Sequence, residues 1–148
     1  MKQKNFGPRK CLKMYLIDTN IFLEVLLSQN RKGECENFLE QVRTGKTVGV
    51  VTDFTVHSII VIMDNSGKLK ELRTFLLSLV AYKGLKVYYT ALREELEALD
   101  IAISQHLDMD DAIQYSTALE LGCEAIISFD KHFDNLKIAR KDPKNALQ

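Results

Sequence analysis

The sequence predicts an α/β fold, with three layers (α/β/α) around a central parallel sheet of four to five short strands. Three observations carry that prediction. The order helix, glycine, short apolar strand occurs three times, with the glycines at Gly45, Gly84 and Gly122. The strand segments are continuous apolar runs, as strands buried on both faces are. Helical periodicity fills the intervals between them, which implies right-handed crossovers and a sheet covered on both sides.

Residues 14–17 (Met-Tyr-Leu-Ile) form the first strand, and Thr19 or Asn20 can cap a helix that follows through about Leu27. A second helix, about 33–44, places Cys35, Phe38, Leu39 and Val42 on one face and ends at Gly45. Val48-Gly49-Val50-Val51 is the second strand. Thr52 or Asp53 starts a third helix with Val56, Ile59, Ile60 and Met63 inward, and Asn65-Ser66-Gly67 stops it with residues suited to left-handed angles. A fourth helix covers about 68–82 and is terminated by Gly84; Leu85-Lys86-Val87-Tyr88 is the third strand. Thr90 can cap a fifth helix, where Leu92, Leu96, Leu99 and Ile103 recur at the helical period. The sixth helix opens near Asp108 to Asp110 and ends at Gly122; Ala125-Ile126-Ile127 is the fourth strand, and a weaker one includes Ile138.

With 148 residues, 46% of them hydrophobic, and no Pro-, Gly- or Ser-rich linker, the chain reads as one domain over 14–140, flanked by a basic N-terminal arm (1–13) expected to stay unordered and a tail (141–148). The net charge is +0, but Lys2, Lys4, Arg9, Lys10 and Lys13 precede the first strand with no acid among them, so the remainder is mildly acidic. That excludes a strongly basic nucleic-acid-coating protein and leaves room for a local basic rim. Cys11, Cys35 and Cys123 lack the paired spacing of a zinc site or disulfide framework and fit a reducing cytoplasm. Asp18, Asn20 and Glu24 interrupt the apolar segment 14–27, which argues against a membrane span or signal segment there.

In a parallel sheet, residues just beyond the strand ends gather along one edge, where such folds bind ligands. Asp18 follows the first strand, Asp130 follows the fourth, and Asp110 and Asp111 open the sixth helix. Each acid alone also reads as a helix cap or first-turn charge. Together they read otherwise, because carboxylates about 5 Å apart repel by about 3 kcal/mol per pair at an effective dielectric of about 20. A divalent cation removes the conflict. An all-oxygen set suits Mg²⁺ or Mn²⁺, whose bound waters can be activated for attack on a phosphodiester. Asn20 can supply an amide to a water or phosphate, and Ser128 a hydroxyl to the same region.

The stretches LIDTNIFLEVLL, LDMDDAIQYSTALELG and IISFDKHFD resemble the successive motifs of the PIN domain, especially the small VapC-type ribonuclease toxins of toxin–antitoxin pairs. The resemblance spans about residues 14–140. It implies a PIN-like fold and a Mg²⁺- or Mn²⁺-dependent endoribonuclease that is commonly dimeric and held inactive by an antitoxin protein. By motif, Asp18, Asp111 and Asp130 are the implied metal ligands, with Asn20 and Ser128 assisting. One position departs from the pattern: where the family usually has a glutamate, in TDFTVHSIIVIM, this chain has Ser58, with His57 beside it. A hydroxyl lacks the carboxylate's charge, so metal affinity should fall. The alternative is therefore a catalytically weakened PIN-fold module that binds RNA or protein.

Asp53 reads as a cap that can also lend charge to the site, Asp110 as an auxiliary acid or a first-turn charge, and Asp108 and Asp134 as solvated. Glu24 reads as a surface residue. Tyr115, one turn after Asp111, is placed for packing or for stacking on a base, and Lys131, His132, Lys137, Arg140 and Lys141 form a basic stretch that can meet phosphate. A phosphoacceptor domain fits less well: a receiver needs paired acids after its first strand, and an aspartate-nucleophile phosphatase needs a second Asp where Asn20 stands. The apolar faces over 19–44 and 68–82 predict a homodimer.

Overall fold

The structure, a computed structural model, describes residues 12–147; the basic arm expected at 1–13 lies, up to residue 11, outside them. Strands β1 (Met14–Ile17), β2 (Val48–Thr52), β3 (Leu85–Tyr88), β4 (Ala125–Ile127) and β5 (Ala139–Lys141) pair in parallel, in the order β3-β2-β1-β4-β5. The helices are α1 (Thr19–Leu26), α2 (Lys32–Arg43), α3 (Asp53–Asn65), α4 (Leu69–Ala81), α5 (Leu92–Gln105), α6 (Met109–Glu120) and the short α7 (Pro143–Ala146). This is the expected three-layer α/β/α fold with five strands.

The period-2 alternation of side chains divides the sheet between two cores. Tyr15, Ile17, Val51, Ala125 and Ile127 face α1 to α4, together with Phe22, Phe38, Ile59 and Met63. Leu16 and Ile126 point the other way, against Tyr115 and Ala118 of α6 and against Phe133 and Ile138. From β1 the chain steps outward through β2 to β3, then returns across β1 to β4 and β5. The strand order therefore reverses between β1 and β4, and the crevice for a ligand lies at their carboxyl ends.

Three local expectations change. Leu92, Leu96, Leu99 and Ile103 are exposed, and α5 turns Ala98 and Ala102 onto Ala112 and Ile113 of α6 instead. Small residues let the two helix backbones approach closely, and that contact sets the rotation of α5. The helix is entered at Ala91, whose N–H donates to Glu94 Oε2 at 2.8 Å; Thr90 is not the cap. Gly84 does not end α4, which stops at Ala81. It is required by close approach, since a Cβ there would lie 2.3 Å from the Thr47 carbonyl oxygen.

The ordered chain also continues past residue 140, into the stretch expected as a tail. Lys141 closes β5, and α7 packs on α2. Arg31 ties the two ends together, donating to Glu34 at 2.5 Å and to Asp142 at 3.0 Å while lying 3.7 Å over the Phe129 ring. Among the described residues no helix is long and apolar enough to cross a membrane.

Candidate active site

The register of β1 on β4 builds the floor of the site. Ile17 stands opposite Ile127, and the Asp18 N–H donates to the Ile127 carbonyl at 3.0 Å. The next residue of each strand, Asp18 and Ser128, are therefore side by side. Ser128 Oγ donates to Asp18 Oδ2 at 2.7 Å and accepts from the Asp130 N–H at 2.9 Å. Both Asp18 and Ser128 are buried. Two residues beyond Ser128, Asp130 caps a 3₁₀ turn, Lys131–Phe133, by accepting from the His132 N–H at 2.9 Å. Buried Phe133 anchors that turn in the α6-side core.

Of Asp18, Asp111 and Asp130, only Asp130 makes a side-chain capping bond. Asp18 occupies the N-cap position of α1 and makes no side-chain capping bond. In α6 the cap is Asp108, whose Oδ1 accepts from the Asp111 N–H at 2.8 Å. The Asp111 carboxylate is thus not needed by its helix. It is 5% exposed, and its Oδ2 has no hydrogen-bond partner among the described residues.

Ligand atoms of Asp111, Asp130 and His132 all lie within 4.8 Å of one another. His132 Nδ1 is 3.2 Å from Asp130 Oδ1 and 3.6 Å from Asp111 Oδ2. Asp18 adjoins this group with both oxygens already engaged: Oδ2 by Ser128, and Oδ1 by Gln114 Nε2 at 3.0 Å. The same Gln114 nitrogen reaches Asp110 Oδ1 at 3.1 Å.

Crowding carboxyls in a buried crevice disfavours their charged forms. Burial, reinforced by Asp108, Asp130, Asp18 and Asp110, pushes Asp111 up to about 7. Asp110 is raised to about 6, chiefly by burial, against the opposing hydrogen bond from Gln114. Asp18 is raised by burial as well, with Ser128 and Gln114 holding the shift back. Such a set is under-neutralised by protein groups, and among the described residues the buried Asp111 Oδ2 has only His132 Nδ1, 3.6 Å away, near it as a counter-charge. The donor set, carboxylates with one imidazole, fits a hard to borderline divalent ion.

Of the residues singled out from sequence, Asp18, Asp110, Asp111, Ser128 and Asp130 gather here. Asn20 stands exposed in the first turn of α1. Ser58 lines a shallow hollow with Phe54, His57, Val61 and Ile62, and the hydrogen bonds described for the acid cluster do not involve it. Asp53 Oδ1 accepts from the Thr90 backbone N–H at 3.2 Å and from its hydroxyl at 2.7 Å, which fixes the entry to α5. Glu24 is partly buried and structural, accepting from the Arg31 N–H at 2.8 Å. Tyr115 is buried in packing. Arg140, from the basic stretch, pairs with Asp134 and Asp142 and donates to the Ser128 carbonyl. Sequence reading missed Gln114 and the approach of His132 to the acids. A signal for Gln114 existed, because it lies four residues after Asp110 and three after Asp111, on the same helical face.

Parallel strands, a reversal of strand order beside β1, and carboxylates concentrated at that point define an α/β protein with an acid-lined crevice. The chain belongs to the PIN domain family, whose model matches residues 15–139. Solved structures share its fold. A toxin–antitoxin complex from Klebsiella pneumoniae is 18% identical with a TM-score of 0.64, covering 87% of this chain and 97% of that one. The sarcin-ricin loop cleaving toxin of Mycobacterium tuberculosis is 11% identical, with a TM-score of 0.65 and coverage of 78% and 89%. FitAcB from Neisseria gonorrhoeae is 17% identical, with a TM-score of 0.66 and coverage of 88% and 99%. No curated protein matches the chain.

Proposed function

We propose that the chain is a divalent-metal-dependent endoribonuclease, the toxin of a toxin–antitoxin pair, acting in the cytoplasm. The observation that carries this reading is the buried, unpartnered Asp111 oxygen facing Asp130 beside Asp18. In it, Asp111 and Asp130 hold Mg²⁺ or Mn²⁺ from the outer side, Asp18 joins them by turning one of its two hydrogen-bonded oxygens to the ion, and the ion when bound would supply an activated water and neutralise a phosphate. Ser128 and Gln114 orient Asp18, and Asp110 adds negative charge through the shared Gln114. Asn20, exposed at the start of α1, contacts the RNA backbone. The structural neighbours described as toxin–antitoxin complexes support an antitoxin partner. Apolar side chains standing exposed on α3, α4 and α5, among them Val61, Leu77 and Leu96, support a homodimer through a surface other than the 19–44 face read from sequence, whose Ile21, Phe22, Phe38 and Val42 are in the core.

Purified protein should cleave a mixed RNA pool in Mg²⁺ or Mn²⁺, and Asp18→Asn should abolish that cleavage; binding without cleavage in either ion would refute the nuclease reading. A second reading, a PIN-fold module that binds RNA or protein without cutting, is favoured by one observation, Ser58 at the position where a glutamate is implied. Ser58→Glu separates the two: restoring the charge should lower the metal concentration needed for cleavage, and a protein that stays inert at all metal concentrations is the binding module.

A further inference from the structure

The acid cluster contains a nitrogen that an all-carboxylate site does not need. We propose that His132 supplies its Nδ1 to the ion held by Asp111 and Asp130, and that this makes the site prefer a first-row transition ion such as Mn²⁺ over Mg²⁺. The inference rests on the metal-site reading above and concerns the identity of one ligand.

Geometry supports it. Two ligand atoms cis on an octahedral ion with bonds of about 2.1 Å stand about 3.0 Å apart. His132 Nδ1 lies 3.2 Å from Asp130 Oδ1 and 3.6 Å from Asp111 Oδ2, and ligand atoms of all three lie within 4.8 Å of one another, so side-chain rotation without backbone movement can draw them to one ion. The backbone is arranged for this. Asp130 caps the turn that carries His132, and buried Phe133 fixes the turn's orientation, so the imidazole is returned over the carboxylate that begins it. Asp111 Oδ2, 3.6 Å from His132 Nδ1, is a buried oxygen with no hydrogen-bond partner among the described residues.

Chemistry gives the direction of the preference. Imidazole is a borderline ligand that suits Mn²⁺ and later ions, whereas Mg²⁺ takes oxygen and water. A chain with Ser58 where a carboxylate is implied has lost an oxygen donor that serves both ions. The His132 nitrogen, beside Asp111 and Asp130, adds a donor that serves one of them better. The rival explanation is that a protonated His132 merely fills the place of a cation, in which case it would compete with metal.

The two explanations differ in sign. Mn²⁺ affinity is measured by electron paramagnetic resonance, Mg²⁺ by competition against Mn²⁺, and nitrogen coordination by ¹⁴N modulation of the bound Mn²⁺ signal, on the full chain and on His132→Ala, His132→Asp and Asp111→Asn. The wild type should show ¹⁴N modulation. His132→Ala should lose it and bind Mn²⁺ about tenfold more weakly, within the span seen when groups around a metal are altered, with Mg²⁺ affinity changed less than about twofold. His132→Asp should regain Mn²⁺ binding without the nitrogen signal and should bind Mg²⁺ more tightly than the wild type. Because the imidazole is exposed, these variants should keep the wild-type circular dichroism. Mn²⁺ binding without ¹⁴N modulation, or tighter binding of both ions by His132→Ala, overturns the proposal for His132 alone. Asp111→Asn separates the levels: should the wild type bind neither ion, or Asp111→Asn bind both as well as the wild type, the metal-site reading fails and this one with it.

Discussion

The two halves of the acid cluster are built on opposite terms. In the inner half, Asp18 has one oxygen on Ser128 and the other on Gln114, and Gln114 also holds Asp110. Asp111 and Asp130, in the outer half, face each other and His132, and a buried oxygen of Asp111 has no partner. An unsatisfied buried acceptor costs about 1–3 kcal/mol. Gln114 Oε1 in the inner half is also without a partner among the described residues, so what separates the halves is the carboxylates: both oxygens of Asp18 are held by protein groups, whereas an oxygen of Asp111 is left for something from outside.

The largest effect should come from breaking the outer half. Asp111→Asn should lower RNA cleavage by more than about a hundredfold, beyond what altering a supporting group around a metal typically costs. In metal-free buffer near pH 8 the same variant should melt at a higher temperature than the wild type, because a repelling charge is gone. A drop in melting temperature would mean that Asp111 is structural. Breaking the inner half should do the reverse. Gln114→Leu leaves an oxygen on each of Asp18 and Asp110 unpaired and should cost about 1–3 kcal/mol in denaturant unfolding, with cleavage down about 10–100-fold. Stability equal to the wild type would show that Gln114 is not what holds Asp18.

A smaller effect should appear with pH. Asp111 and Asp110 keep their protons up to about 7 and about 6 in the fold, against 3.8 for an unperturbed carboxyl. Between about pH 4 and pH 7 the native chain therefore binds more protons than the unfolded one, and raising the pH favours unfolding. Thermal melts without metal should fall through that window, and saturating Mn²⁺ should flatten the fall. A metal-free profile that rises with pH would contradict the crowding of these acids.

Much of this was legible in the sequence, for identifiable reasons. Continuous apolar runs fix buried parallel strands, and parallel register then forces Asp18 and Ser128 together, since they follow residues that pair. Asp111 was visible as a helix start, although only the structure reveals that Asp108 does the capping. Other features depend on quantities that periodicity does not encode. The rotation of α5 is set by Ala98 and Ala102 against α6, which leaves the expected leucine stripe in solvent. His132 read as part of a basic stretch because a 3₁₀ turn of three residues has no periodic signature and yet decides where the imidazole points.

A divalent cation in the outer half of the cluster would be located by anomalous diffraction from crystals grown with Mn²⁺. The expected result is one strong peak at bonding distance from carboxylate oxygens of Asp111 and Asp130, beside Asp18. A well-ordered crystal in which those oxygens stay unligated at millimolar Mn²⁺ would contradict it.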